Sequence, residues 1–387
     1  MSMRDIREAS IKGKNVLVRV DFNVPVKDGK VTSDKRIRAA MDTLRLILSK
    51  NPDKIILMSH LGRPKGERVP EFSLLPVAKA LASRLKRKVD FVDDVFDVDG
   101  IASSRSKVVL LENLRFYPEE KKNDAVFAKK LASYGDIYVN DAFGTCHRSH
   151  ASVDAITRYV PSYPGLLLEK EIFNLDIERA KTPLVVIIGG AKVSDKIGVL
   201  KRMVRKADAV LIGGAMMFTF LKAQGYEVGR SLVEDDKLVV AKKLLSSSKN
   251  KIMLPVDVAV SRSLKSSTGG FGRKIVDISS LPRSYYGLDI GPETVDVFSS
   301  IISKAGTILW NGPMGMFEQK PFHKGTVDIA KAVASSGARS IIGGGDSVSA
   351  IEKAKLSAKI THISTGGGAS LEFIEGKYLP GLKALER

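Results

Sequence analysis

Apolar residues in this chain fall into short runs separated by longer amphipathic stretches. In the first half the runs are NVLVRVDF, KIILMSH, VDFVDD, KVVLLEN and DIYVNDAF; in the second they are PLVVIIGG, AVLIGG, KIMLPVDV, TILWNG, SIIGGG and ITHISTGGG. Runs that stay apolar at successive positions predict strands buried on both faces, and the helical spacing between them predicts crossover helices. Together they specify an α/β fold of two doubly wound parallel-sheet, Rossmann-like domains. Between the halves, PGLLLEKEIFNLDIERAKTP has proline at each end (Pro164, Pro183) and Leu168, Ile172 and Leu175 at helical spacing, which predicts a connecting helix. The same spacing fits a crossover helix within one large domain. The closing YLPGLKALER puts Leu382 and Leu385 beyond a Pro-Gly break, so the tail is expected to dock. No fixed-period repeat or low-complexity tract is apparent.

A length of 387 residues favours two cores over one. The single cysteine, Cys146, has no partner for an internal disulfide, and the opening MSMRDIREASIKGKN is charged where a signal peptide would be apolar. A cytoplasmic protein is expected. The longest uncharged apolar stretch, AVLIGGAMMFTFL, is well short of the roughly 18 residues of a membrane span, so no membrane segment is expected. The formal charge of +19, from 62 Lys+Arg against 43 Asp+Glu, points to anionic partners. Basic residues are spread over helical faces, as in LASRLKRKVD and KRMVRKADA, without interleaved aromatics. A basic nucleic-acid-binding protein is therefore the non-enzyme alternative rather than the leading reading.

In open parallel sheets ligands bind beyond the C-terminal strand ends. In the second half those ends are IIGGAKVSDK, LIGGAM, WNGPMG, IIGGGDS and STGGGAS, glycine-rich after every predicted strand but KIMLPVDV. One such turn serves geometry; a set of them at equivalent positions predicts phosphates held by bare backbone and helix N-termini. G-x-x-x-x-G-K-[ST] is absent, and GGGDSV and GGGASL lack the third glycine of G-x-G-x-x-G, which disfavours the other enzyme alternative, an NAD-dependent oxidoreductase. Lys192 and Lys196, four apart, are expected on one face of a helix that follows Gly190. Asp346 after its glycine triplet is a candidate Mg2+ ligand or a helix cap. First-half strand ends instead carry Asp21 and Asn23, His60 and Arg63, Arg115, and His147 with Arg148. Taken singly these are ordinary surface groups, but arginines sharing one cleft suit a small polyanion. His147 and His150 are only half a metal-ligand set, and Cys146 lacks an identified base.

Ten motifs then appear in one order: RVDFNVP, SHLGRPKG, LLENLRF, GTCHRSHAS, GGAKVSDK, LIGGAMMFTFLK, GLDIGPET, WNGPMGMFE, GGGDS and STGGGASLEFIEGKYLPG. In these the chain resembles the phosphoglycerate kinases over almost its whole length. The resemblance implies a triose-binding domain over 1–168, an interdomain helix over 169–181, a nucleotide-binding domain over 182–375, and a tail over 376–387 that packs back on the first domain. It implies 3-phosphoglycerate or 1,3-bisphosphoglycerate at Asp21, Asn23, Arg36, His60, Arg63, Arg115 and Arg148. ADP or ATP is implied at Lys196, Gly213, Asn311, Glu318, Gly344, Gly345, Asp346 and Ser347, with Glu318 on the ribose and Asp346 on Mg2+. Arg36, Lys192, Gly345 and Gly368 are the implied catalytic positions, with Gly366 and Gly367 adding backbone N–H groups. A monomer acting on small molecules, without nucleic acid or membrane, is implied as well. Ser347 stands where Thr is usual, Cys146 replaces a small residue, and the segment 261–284 is basic and Gly/Ser-rich where the family has an acidic loop. A carboxylate leaves as ADP attacks the acyl phosphate, so positioning and charge neutralisation suffice without a dedicated acid or base. Substrates on two domains must meet for in-line transfer, which predicts hinge closure about the connecting helix.

Overall fold

A computed structural model describes residues 3–264 and 272–386. The chain divides into two compact units, Met1–Phe173 with Lys377–Arg387, and Asn174–Gly376. In the first, six parallel strands form one sheet: β1 (Asn15–Arg19), β2 (Lys54–Met58), β3 (Val89–Val92), β4 (Val108–Leu111), β5 (Ile137–Asn140) and β6 (Ser162–Pro164), ordered β3-β4-β2-β1-β5-β6. Strand order reverses between β1 and β5, which opens a crevice at their C-terminal ends. β1, β2, β4 and β5 are almost wholly buried, which is why they read as unbroken apolar runs. Val16, Val18, Ile55, Leu57, Val108 and Val139 join Ile37, Leu44, Val77 and Leu81 in a core between sheet and helices. The tail forms the helix Pro380–Leu385, with Leu382 and Leu385 buried and Gly381 N–H donating to Cys146 O at 2.9 Å. Gly381 is required there, because a Cβ would lie 2.7 Å from Val153 and 2.9 Å from Cys146 Cα.

The second unit repeats the plan with β7 (Leu184–Ile188), β8 (Ala209–Ile212), β9 (Ile252–Met253), β13 (Thr307–Asn311), β14 (Arg339–Gly343) and β15 (His362–Ile363), all parallel in the order β9-β8-β7-β13-β14-β15. Its reversal lies between β7 and β13, where GGAKVSDK and WNGPMG leave the sheet. A separate antiparallel sheet, β11-β10-β12, is built from β10 (Asp257–Ser261), β11 (Lys274–Asp277) and β12 (Tyr286–Ile290). The sequence reading contained no such sheet. KIMLPVDV, expected as one strand, is split at Pro255, whose missing N–H ends β9 and lets β10 start elsewhere. The divergent 261–284 segment spans β11, and its residues 265–271 lie outside the described residues. The expected long connecting helix is shorter: Leu166–Leu175 is helical, and Asp176 then accepts from Glu178 N to cap a separate 3-10 turn at Ile177–Arg179. Among the described residues no helix is long and apolar enough to cross a membrane.

Candidate functional site

In the first unit the crevice at β1 and β5 collects polar side chains. Asp21, just past β1, is half-buried and pairs with Arg36 from the helix Lys35–Ala39. Its Oδ1 accepts from Asn23 N at 3.3 Å, while Asn23 Oδ1 accepts from Gly62 N at 2.9 Å. Gly62 carries the backbone past the end of β2 with φ +61, and a Cβ there would strike Phe72 at 2.3 Å, so glycine is needed. Arg115 Nη1 donates to Gly62 O at 2.8 Å, and Arg115 Nε is buried without a partner among the described residues. Burial, with repulsion from Arg19 and Arg148, brings the Arg115 guanidinium down to about 10. His60, 4% exposed, is held well below the usual imidazole range by burial and by Arg19, Arg115, Arg36 and His150. Arg63 is exposed, with no hydrogen bond to the described residues, and exposed Arg148 donates from Nε to His147 Nε2 at 3.0 Å. Guanidinium groups this concentrated, one of them with a buried N–H unpaired among the described residues, suit a small polyanion.

Sequence reasoning missed the layer beneath. Arg19, the last residue of β1, is wholly buried; its Nε donates to Ser152 Oγ at 2.8 Å and its Nη2 approaches His60 Nδ1 at 3.3 Å and Glu120 at 3.9 Å. Glu120, also wholly buried, accepts from Ser152 N at 2.9 Å and Ser152 Oγ at 2.6 Å and faces His150 at 3.6 Å. Burial alone would raise the Glu120 carboxyl, but His150, Arg19 and Ser152 together hold it below its ordinary value. The available signal was an arginine inside a run predicted to be buried on both faces, since a charge there demands a partner. His147 and His150 serve different neighbours, and Cys146 is buried with its thiol pushed up to about 12 by desolvation, which makes it inert as a nucleophile.

In the second unit the glycine-rich strand ends sort into two kinds. At Gly189 a Cβ would meet Pro313 O at 2.0 Å, at Gly213 Met314 Sδ at 2.6 Å, at Gly214 Gly190 N at 2.4 Å, and at Gly312 Gly189 O at 2.2 Å. These glycines let the turns after β7, β8 and β13 lie against one another, fastened by Gly189 N to Asn311 O and Gly190 N to Pro313 O, each 3.0 Å. At Gly190, Gly345 and Gly367 the missing Cβ faces open space instead. Beside the bare backbone at Gly190 and Gly345 lies a cavity of about 470 Å³ with an apolar wall that includes Leu232, Tyr286, Leu288, Pro313 and Met316. Glu318 and Asp346 also line it, with Gly190, Gly214 and Ala215 as backbone. Its size and its few polar groups on an apolar wall are those of a small-molecule site.

Several expected residues take different places. Lys192 and Lys196 do not share a helix face: the helix is Ile197–Lys206, Lys196 is its N-cap residue, and exposed Lys192 lies in the preceding turn. The turn is pinned by buried Val193 and by Ser194, whose N and Oγ donate to Glu234, so helix cannot start earlier. Lys196 is half-buried and bonded to Asn311 Oδ1; desolvation lowers it against the opposing pull of Asp195, Asp346 and Glu375. Asn311 Nδ2 is buried beside Gly344 and has no partner among the described residues. Gly344, with φ +89, is the N-cap of the helix Gly345–Lys353, so exposed Asp346 sits in the first turn and makes no cap. Ser347 is turned inward, its Oγ accepting from Gly312 N at 2.6 Å, and Gly213 packs on Met314 while the cavity takes Gly214. Gly368 is exposed at the start of the helix Gly368–Ile374. Mg2+ that arrives on nucleotide phosphates needs only one or two protein carboxylates. Asp346, exposed beside bare backbone with no structural bond to lose, fits that requirement.

One unit that concentrates arginines at a sheet crevice and another that sets a cavity beside bare glycine backbone fit a nucleotide-dependent phosphotransferase of the α/β class. The comparisons narrow the class. The family model described as phosphoglycerate kinase matches residues 6–377. Phosphoglycerate kinase of Thermosipho africanus is 52% identical over 400 residues, covering 100% of this chain and 98% of that protein, and that of Chlorobium phaeobacteroides is 50% identical with 100% of both covered. The solved phosphoglycerate kinase of Coxiella burnetii superposes with a TM-score of 0.90 at 38% identity, covering 100% of this chain and 99% of that one; that of Pyrococcus horikoshii gives 0.85 at 35%, covering 99% and 98%. The chain belongs to the phosphoglycerate kinase family, enzymes of glycolytic phosphoryl transfer.

Proposed function

We propose that the second unit binds MgADP or MgATP in its cavity and that the first binds 3-phosphoglycerate or 1,3-bisphosphoglycerate on its arginine cluster. The observation that carries the reading is the open space at Gly190 and Gly345 next to a cavity lined by Glu318 and Asp346. The apolar wall takes the base, Glu318 accepts from the ribose hydroxyls, and the backbone N–H groups after Gly344 and Gly367 take phosphate oxygens. Asn311 Nδ2 and Lys196 add donors on the same side. Mg2+, held by Asp346, neutralises nucleotide phosphate charge when bound. On the first unit Asp21 and Asn23 accept from the triose hydroxyl, while His60, Arg63, Arg115 and Arg148 take its carboxylate and phosphate.

In this reading Arg36 is shared between Asp21 and the phosphoryl in transfer, and exposed Lys192 approaches the same group with Gly368 N–H. No side chain has to move a proton, since the leaving carboxylate and attacking phosphate oxygen are both ionised near neutral pH. In-line attack requires the two ligands to meet, hence closure on binding of both. The enzyme is taken as a cytoplasmic monomer acting on these small molecules alone; light scattering tests the monomer, and fractionation of cells tests the location. A coupled assay of ATP formation from 1,3-bisphosphoglycerate and ADP tests the reaction. Activity that persists unchanged in Asp346→Ala at all Mg2+ concentrations overturns the metal assignment, and scattering that shows no compaction with both substrates overturns closure.

A further inference from the structure

His60 lies in the anion-binding crevice, and an anion's oxygens only accept hydrogen bonds, so the ring serves there only if it offers an N–H. A neutral imidazole has one N–H, and which nitrogen carries it depends on what the other nitrogen meets. Here Nδ1 faces Arg19 Nη2 at 3.3 Å. A guanidinium has donors and no acceptor, so Nδ1 must be the lone-pair nitrogen and Nε2 must carry the proton. Among the described residues the ring's one hydrogen-bond contact is through Nδ1, and Nε2 has no protein partner.

This assignment stands only while Arg19 is held in place. Its three donor groups are all used within the protein: Nε to Ser152 Oγ at 2.8 Å, Nη1 to Val20 O at 2.5 Å, and Nη2 toward His60. Ser152 Oγ has one hydrogen, which it gives to Glu120 at 2.6 Å; its oxygen is thereby left as acceptor for Arg19. Glu120 also takes Ser152 N at 2.9 Å, so carboxylate and hydroxyl form a two-point clamp. The order of donors is therefore fixed from end to end: Ser152 gives to Glu120, Arg19 gives to Ser152 and to His60, and His60 gives outward. Reversal at any link would set a donor against a donor. Arg19, Glu120 and Ser152 are all 0% exposed, which removes them from contact with any substrate.

We propose that Glu120 and Ser152 are positioning residues that act through Arg19 to fix His60 as the Nε2–H tautomer, presenting a ready N–H donor to the anionic triose. The proposal rests on the triose-binding reading of the first unit but makes a claim that is read without substrate. Glu120 keeps Arg19 in place because an ionised carboxylate accepts only, so Ser152 spends its hydrogen there and leaves its oxygen to Arg19 Nε; a neutral amide at that position can donate, which lets Ser152 turn its hydrogen against Nε and push the guanidinium away from His60.

The test uses the whole enzyme with 15N-labelled histidine. The sequence has five histidines, so comparison with His60→Gln assigns the His60 ring in long-range 1H–15N spectra. The ligand-free wild type is expected to show the Nε2–H tautomer of His60. Glu120→Gln and Ser152→Ala are expected to show tautomer exchange at His60 and a KM for 3-phosphoglycerate about tenfold higher, with KM for ATP unchanged, as for other supporting groups behind a binding histidine. Arg19→Lys keeps the charge but loses the fork, and is expected to behave as the clamp variants do. If Glu120→Gln fails to fold, Ser152→Ala, the smaller change, carries the same two readouts. An Nδ1–H tautomer in the wild type overturns the proposal, as do clamp variants that fold with unchanged tautomer and unchanged KM. If the wild type shows the Nε2–H tautomer yet 3-phosphoglycerate does not bind, the triose reading fails while the tautomer assignment stands.

Discussion

Ser347→Ala decides whether a residue beside the glycine triplet serves the nucleotide or the fold. Ser347 is wholly buried, and its Oγ accepts the Gly312 N–H at 2.6 Å, tying the turn after β13 to the first turn of the helix Gly345–Lys353. Gly312 is itself irreplaceable, with φ +96 and Gly189 O where a Cβ would go, so its N–H cannot swing to another acceptor. Deleting the hydroxyl strands a buried N–H, at a cost of roughly 1–3 kcal/mol. For a folding unit of about 200 residues each kcal/mol moves Tm by roughly 2–4 °C, so a cost of about 2 kcal/mol lowers Tm by about 4–8 °C. A hydroxyl spent on nucleotide phosphate predicts the opposite division: ligand-free Tm holds, while KM for ATP rises about tenfold for a loss of about 1.4 kcal/mol. Scanning calorimetry without ligand and steady-state kinetics with ATP varied separate the two, and Ser347→Thr, which keeps the oxygen, should recover most of the lost stability. A Tm loss below about 1 °C together with a raised KM refutes the structural role.

Arg36→Ala should lower kcat on the order of 10³-fold, because a cation on the moving phosphoryl acts chiefly in the transition state; a rise in triose KM with unchanged kcat contradicts that role. Two glycine substitutions should divide by readout: Gly189→Ala meets Pro313 O at 2.0 Å and should lower the urea midpoint, whereas Gly345→Ala enters open space and should hold the midpoint while raising KM for ATP. On the acid side, His60 is held neutral when folded but takes a proton near pH 6.5 when unfolded, so stability falls as pH drops below about 6.5, and His60→Gln should flatten that limb of the denaturation profile. Asp289 has the opposite sign, pushed up to about 8 by burial against the N–H groups of Gly325 and Ile290 that favour its ionised form. The folded state then keeps a proton that the unfolded chain releases near pH 4, so stability declines as pH rises from about 4 to 8, and urea midpoints of Asp289→Asn across that range should lose this slope.

The two parallel sheets were legible because a strand buried on both faces has no polar alternation to hide it: β1, β2, β7 and β13 all appear as runs in the sequence. The antiparallel sheet was not, since β12 reads YGLDI, with Gly287 and Asp289 inside it, and such a strand looks like a turn. Gly287 is there because Phe218 Cζ lies 1.9 Å from where a Cβ would be, and Asp289 because Gly325 N–H donates to it at 2.7 Å. Both reasons come from distant parts of the chain, so local composition could not display them. The clamp beneath His60 escaped for the same reason: Ser152 is 133 positions from Arg19 and 32 from Glu120, and nothing in the sequence says that they meet.

The glycines give the sharper lesson about what a motif signals. Read along the chain, GGAKVSDK, LIGGAM, WNGPMG and IIGGGDS look like repeated versions of one phosphate-binding device. In three dimensions Gly189, Gly213, Gly214 and Gly312 are occupied on their Cβ side by Pro313, Met314, Gly190 and Gly189 itself, so they exist to bring three strand ends within backbone hydrogen-bonding distance. At Gly190, Gly345 and Gly367 the Cβ side is open instead, and Gly190 is packed against by Gly214 on its other side. Dense glycine at a switch point thus serves first to pack turns, and the bare backbone left over depends on that packing: without Gly214 lying on Gly190, the backbone at Gly190 would not be held along the cavity.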